Sequence, residues 1–171
     1  MCGIVGALSK REVAPILIEG LKRLEYRGYD SAGLSTVGHG SYLTQIREVG
    51  KVKGLEALVS ESEINGKLGI AHTRWATHGK PSKSNAHPHV SSDKISVVHN
   101  GIIENHDELR ERLSNDGYEI ESETDSELIA HMLDYFLNQG NSMLDSMYLT
   151  KDRLDGAYAI CLLYTSDAAD E

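Results

Sequence analysis

Cys2 stands second in the chain, so loss of Met1 would place a thiol and a free α-amino group on one residue. An α-amine titrates near ~8, which lets it accept the thiol proton close to neutral pH and leave the nucleophilic thiolate. The competing reading is a small buried hydrophobe at the start of a strand, because free cysteine is among the most buried residue types. The segment His72-Thr73-Arg74-Trp75-Ala76-Thr77-His78-Gly79 sets the single Trp beside an Arg. Arg74 can grip a carboxylate through its planar fork or simply pair with a surface acid, and Arg27 in Tyr26-Arg27-Gly28-Tyr29-Asp30 is equally ambiguous. Asn100-Gly101 offers an amide donor next to an unhindered N–H, which suits an oxyanion hole, but the same dipeptide is a common turn. Asp125 can receive an ammonium group or serve a helix dipole.

Eight histidines raise the question of a metal, above all His87-Pro88-His89 with His72, His78 and His99. No HExxH, CxxC or carboxylate at a matching interval accompanies them, so hydrogen-bonded structural histidines are expected and no metal site is assigned.

The elements that must hold these groups alternate between strand and helix. Residues 2–8 read as a strand that delivers Cys2 at its start. From Glu12, the positions Val13, Ile16, Leu17, Leu21 and Leu24 follow helical spacing, with Pro15 tolerated in the first turn. Residues 26–33 form a Gly-punctuated loop, 32–37 and 41–48 a hairpin around Gly38-His39-Gly40, and 55–61 a short helix. Residues 68–73 and 95–99 are buried strands separated by the long polar stretch 74–94, of a length usually reserved for function. Asn105 with Glu108, and Thr124 with Glu127, read as capping boxes for two further helices. The acidic alternation Glu119, Glu121, Glu123, Asp125, Glu127 reads as a solvated strand face running into the second cap. Hairpins without regular βαβ alternation predict an α+β layered fold.

Composition narrows the function. The 171 residues are 40% apolar and 25% charged, enough for one domain with a core. Lys plus Arg number 17 against 26 Asp plus Glu, a net charge of −9, which argues against nucleic-acid binding. Apolar runs are too short to span a membrane, and Lys10-Arg11 follow the N-terminus in no signal-peptide order, so a cytoplasmic address is expected. Cys2 and Cys161 are too few and too far apart for a disulfide framework.

These separate signals coincide with a family. Met1-Cys2-Gly3-Ile4-Val5-Gly6, RLEYRGYDSAG (23–33), HTRWATHG (72–79), NAHPH (85–89), VVHNGIIEN (97–105) and SETDSE (122–127) resemble, in order, the N-terminal glutaminase domain of glutamine–fructose-6-phosphate aminotransferases, which are class II glutamine amidotransferases. The resemblance implies an N-terminal-nucleophile hydrolase fold, a four-layer sandwich of helices, two antiparallel sheets and helices. It implies Cys2 as nucleophile with its own α-amine as base, Asn100 and Gly101 as oxyanion hole, Arg74 on the carboxylate of L-glutamine and Asp125 on its ammonium. Trp75, Thr77 and His78 would close over the substrate, with Arg27 and His87 nearby. No cofactor is implied. The parent enzyme would be a homo-oligomer whose sugar-isomerase domains bind fructose 6-phosphate.

Residues 1–160 are expected to form the glutaminase domain, incomplete at its C-terminus. Residues 161–171, CLLYTSDAADE, resemble the conceptual translation of a transposon sequencing adapter and are set aside from the fold expectation. Two alternatives stay open: an inactive glutamine-binding fragment, and the glutaminase domain of an amidophosphoribosyltransferase-like enzyme, whose match to RGYDSAG and HTRWATHG is poorer.

Overall fold

Leu17 and Leu21 lie one turn apart on the same face of the first helix and are completely buried, so this face anchors one side of the molecule. The computed structural model describes residues 2–38, 40–75 and 79–165. Strand β1 (Gly3–Leu8) leads into α1 (Ala14–Leu24), with Pro15 in the first turn as expected. A 3-10 turn (Glu25–Arg27) and a short loop precede the hairpin of β2 (Ser31–Val37) and β3 (Leu43–Val49). Helix α2 (Val52–Glu61) and β4 (Leu68–Arg74) follow. The second half contains β5 (His89–Ser91), β6 (Ile95–Ile103), α3 (His106–Asn115), α4 (Ser126–Asn138), α5 (Met143–Lys151) and β7 (Gly156–Tyr164).

Two antiparallel sheets result, one ordered β1-β4-β2-β3 and the other β5-β6-β7. Helices α1 and α2 cover the first sheet, and α4, flanked by α3 and α5, covers the second. The α/β/β/α sandwich expected from the family is therefore the observed architecture. The period of two along each strand sorts its side chains between layers. Ala71 of β4 joins Leu34, Leu17 and Leu55 beneath α1 and α2, while its neighbour Ile70 meets Val98 and Leu163 between the sheets. Under α4, Ile95, Val97, Leu128, Ile129 and Met132 form the third cluster. Each of the buried Val, Leu, Ile and Met side chains contributes about 1.5–3 kcal/mol by burial.

The layer between the sheets turns polar toward one end. Ser96 donates a hydrogen bond to Ser35 across the gap at 2.8 Å. A Cβ on Gly33 would lie 2.2 Å from the carbonyl oxygen of His87, so the chain at 87 can approach β2 this closely only because residue 33 is glycine.

Several local expectations are corrected. Asn100-Gly101 is not a turn: β6 runs on to Ile103 and carries both residues inside the strand. The stretch 74–94 contains β5, three residues long, and α5 forms where the sequence pattern signals no helix. Neither capping box forms. Asn105 occupies the cap position of α3, yet its side chain donates to the carbonyl of Arg153 (2.8 Å) and accepts from the N–H of Asp155 (3.0 Å), tying α3 to the approach to β7. Asp125, not Thr124, is the cap residue of α4, and Glu127 turns back to accept from the N–H groups of Glu121 and Ser122 at 3.0 and 2.7 Å. The acidic alternation is no strand face: residues 119–125 lie in no regular element, and Asp125 and Glu127 are buried. The β6–β7 ladder also continues beyond residue 160, with Cys161 paired to Val98 and Leu163, a buried residue, to Ser96.

Candidate active site

Strand register brings the sequence-predicted groups together. Gly3 of β1 pairs with Thr73 of β4, so Cys2 emerges beside the end of β4, where Arg74 and Trp75 leave the sheet. The N–H of Trp75 donates to Cys2 Sγ at 3.2 Å, fixing the sulfur at the sheet edge. Cys2 is only partly buried, so it is not a core hydrophobe. From the second sheet, β6 supplies Asn100, whose Nδ2 donates to the carbonyl of Cys2 at 3.2 Å. One narrow cleft is lined by Cys2, Arg74, Trp75, Gly101 and Asp125, with His87, His99, Thr124 and Ser126 completing its walls.

Arg74 is 4% exposed, which removes the surface ion-pair reading. Its guanidinium lies 3.9 Å from the carboxylate of Asp30 and donates to the carbonyl of Gly79 at 3.3 Å. The loop before β2 backs directly onto this position, because a Cβ on Gly28 would fall 2.8 Å from the carbonyl carbon and oxygen of Arg74. Arg27 ends the 3-10 turn ahead of that loop, partly buried and outside the cleft lining.

Asp125 is 7% exposed. Its Oδ2 accepts from the N–H of Ile103 at 2.8 Å, and Ser126 Oγ donates to its Oδ1 at 3.3 Å. His99 Nδ1 lies 2.7 Å from Ser126 Oγ, so the imidazole, hydroxyl and carboxylate form a buried chain. Gly101 has φ +140°, and a Cβ there would meet the carbonyl oxygen of Ala157 at 2.3 Å. Only glycine holds the strand in this conformation against β7.

The histidines behind the cleft are buried and uncharged near neutrality. Burial pushes His72 down to about 4 and His89 to about 3. Burial also lowers His87, with neighbouring imidazoles adding to the effect, and lowers His99 although Asp125 opposes it. His89 shares a hydrogen bond with Thr124 Oγ1 at 3.0 Å. The expectation of hydrogen-bonded histidines fails at His87: among the described residues neither of its ring nitrogens has a partner, and its ring packs 4.1 Å from His72 and 4.8 Å from His89. No group of three or more His, Cys, Asp or Glu side chains among the described residues is arranged to hold a metal ion.

The NAHPH segment closes the back of the site. Asn85 donates to Glu123 Oε2 at 2.9 Å and accepts from the Glu123 N–H at 2.8 Å, joining the chain after β4 to the approach to α4. Thr77 and His78 lie outside the described residues. Sequence reasoning missed Ser126, Thr124 and Asp30 as members of the site; the clue available was their place inside the SETDSE and YRGYDSAG segments.

A glutamine amidotransferase domain pattern matches residues 72–169. Glutamine–fructose-6-phosphate aminotransferase [isomerizing] of Vibrio parahaemolyticus is 56% identical over 167 residues, 98% of this chain and 27% of that protein. The same-named protein of Yersinia pseudotuberculosis is also 56% identical over 167 residues, and that of Pseudomonas putida 53% over 163. The chain thus spans about a quarter of the length of these relatives, 27%. Among solved structures, a glutamine phosphoribosylpyrophosphate amidotransferase from B. subtilis superposes with a TM-score of 0.81 at 25% identity, over 96% of this chain and 35% of that one. A structure described as the allosteric regulatory enzyme of purine biosynthesis gives 0.80 at 28%, over 95% and 35%.

Proposed function

Because this chain belongs to the glutamine amidotransferase family, we propose that it hydrolyses L-glutamine to glutamate and ammonia through a thioester on Cys2. In a longer protein of the relatives' kind, that ammonia would serve glucosamine-6-phosphate synthesis from fructose 6-phosphate on sugar-isomerase domains. The observation that carries the reading is the convergence of a thiol, a buried guanidinium and a buried carboxylate on one cleft. The backbone end of glutamine is a zwitterion. A selective site therefore needs one fixed cation and one fixed anion, the roles of Arg74 and Asp125.

With the α-carboxylate on Arg74 and the α-ammonium on Asp125, the side-chain amide reaches toward Cys2. Removal of Met1 frees the α-amine of Cys2, which takes the thiol proton. The sulfur adds to the amide carbon, and the oxygen that gains the negative charge is held by Asn100 Nδ2 and the Gly101 N–H. The C–N bond then breaks, the α-ammonium returns its proton to the leaving nitrogen, and ammonia departs. Water adds to the thioester, the C–S bond breaks, and glutamate and the free thiol result. Trp75, Thr77 and His78 contribute to substrate binding, and Arg27 and His87 support the pocket from outside and behind.

The amidophosphoribosyltransferase alternative is the weaker one, since the structural relative of that kind is 25% identical against 56% for the sugar aminotransferase. No helix among the described residues is long and apolar enough to cross a membrane. A cytoplasmic, homo-oligomeric parent is part of the proposal. Incubation of the chain with glutamine tests it: equimolar glutamate and ammonia are expected from the wild type and none from Cys2→Ala. Glutamine binding without turnover in the wild type would instead identify a binding fragment.

A further inference from the structure

His72 contributes nothing to the cleft lining, yet it touches the residue assigned to the oxyanion hole. Its Nε2 lies 3.1 Å from the carbonyl oxygen of His99 and 2.8 Å from Asn100 Oδ1. A main-chain carbonyl only accepts, so the proton of the neutral imidazole must reside on Nε2. Its Nδ1, buried and without a partner among the described residues, is then the bare nitrogen. An Nε2–H next to the Asn100 amide accepts only one orientation of that amide, with the oxygen toward His72 and the NH2 group away. At the opposite end the Asn100 NH2 meets the carbonyl of Cys2 at 3.2 Å, another group that only accepts. Two main-chain carbonyls, those of His99 and Cys2, therefore set the amide in the same sense. One of the two Nδ2 protons goes to the Cys2 carbonyl, which leaves the second for another acceptor.

We infer that His72 is a positioning residue, which locks the side-chain amide of Asn100 so that its NH2 group faces the tetrahedral oxyanion formed at Cys2. This deepens the glutaminase reading and rests on it. The surroundings keep His72 in the one protonation state that works: it is completely buried, and the unpartnered ring of His87 packs 4.1 Å away. A second proton on His72 would place charge against that dry imidazole. Without the Nε2–H, the Asn100 amide can rotate and present its oxygen to the developing negative charge, where it repels.

Two measurements test the inference on the full chain. The first compares glutamine hydrolysis by wild type, His72→Phe, which has no donor, and His72→Gln, whose amide nitrogen reaches about as far as the imidazole Nε2. The oxyanion is stabilised only after the thiol adds, whereas Arg74 and Asp125 grip the other end of glutamine throughout. His72→Phe should accordingly lower kcat by about 10- to 100-fold with KM nearly unchanged, and His72→Gln should recover most of kcat. An unchanged kcat in His72→Phe overturns the inference, as does a His72→Gln variant no better than Phe. The second is long-range 1H–15N NMR of the wild-type imidazole at neutral pH, which needs neither turnover nor a stable variant. The Nε2–H tautomer is expected, and the Nδ1–H tautomer overturns the inference. A wild type that releases no glutamate defeats the glutaminase reading alone, because the tautomer still decides the His72–Asn100 link.

Discussion

The N–H of Trp75 donates to Cys2 Sγ at 3.2 Å, joining residues 73 positions apart in the chain. The contact follows from β1 lying antiparallel to β4 in the register that pairs Gly3 with Thr73. A shift of one residue in that ladder would turn the Cys2 side chain to the other face of the sheet and remove it from Arg74 and Gly101.

Arg74 and Asp125 should govern substrate affinity. Arg74→Lys keeps the charge and loses the planar fork, and Asp125→Asn loses the charge. Each is expected to raise KM for glutamine by about 10- to 100-fold, equivalent to about 1.5–3 kcal/mol for a hydrogen bond to a charged group, with a smaller effect on kcat. Steady-state hydrolysis kinetics check this. An Asp125→Asn enzyme with normal KM would remove Asp125 from the substrate ammonium.

Gly101 should tolerate no side chain. A methyl group there meets the carbonyl oxygen of Ala157 at 2.3 Å and the Cα of Tyr158 at 2.6 Å, in a backbone conformation that L residues rarely adopt. Gly101→Ala is expected to cost about 1–3 kcal/mol in backbone strain, before the clash with β7, and to lower kcat by about 100-fold as the N–H is displaced. Urea denaturation and turnover measured on the same preparation separate the two effects.

Acid should weaken the fold before carboxylates titrate. Burial holds His72 at about 4 and His89 at about 3, against an ordinary 6.5. Below about pH 6.5 the unfolded chain takes up protons that the folded chain refuses, so stability declines as pH falls from about 6.5 toward 4. Each histidine adds a slope of up to about 1.4 kcal/mol per pH unit in this window. Chemical denaturation at pH 7.5, 6 and 5 should show the decline, and His89→Gln should make it shallower.

Glu127 should act in a lower window. Burial alone would raise its carboxyl, but His131, the Ser122 hydroxyl and the N–H groups of Glu121 and Ser122 outweigh that and bring it to about 2, from 4.5. Its folded-state value is depressed, so its contribution is complete above about pH 4.5 and is lost as pH falls toward 2. Glu127→Gln is expected to destabilise the protein at pH 7 by about 1–3 kcal/mol and to flatten the stability profile below pH 4.5. Thermal melts across pH 2.5–7 follow both effects.

How much of this could be read from the chain depended on the range of the interaction. Cys2 at a strand start and Arg74 at a strand exit were legible, because position in an element follows from local pattern. The layered α+β class was legible for the same reason. Strand β5 was not, since three residues carry no periodicity, and α5 was not, since Leu144 and Tyr148 on it stay exposed and leave no apolar stripe. Both capping boxes were misread: the local bond that the spacing allows competes with tertiary partners, the approach to β7 for Asn105 and the 121–122 backbone for Glu127. Asn100-Gly101 read as a turn by itself because the sequence does not show that β7 pairs alongside it and holds it extended. The histidine layer behind the site was legible only as composition; the His72–Asn100 contact depends on how β4 and β6 face each other across the sheets.

Cys2, freed of Met1, is the proposed nucleophile. Acid-quenching the chain during glutamine turnover and mapping it by mass spectrometry identifies the acylated residue. The expected product is an N-terminal peptide that begins at Cys2 and carries a γ-glutamyl group on its sulfur. An acyl group on any other residue, or turnover by protein that retains Met1, would rule out Cys2 as the nucleophile with its own α-amine as base.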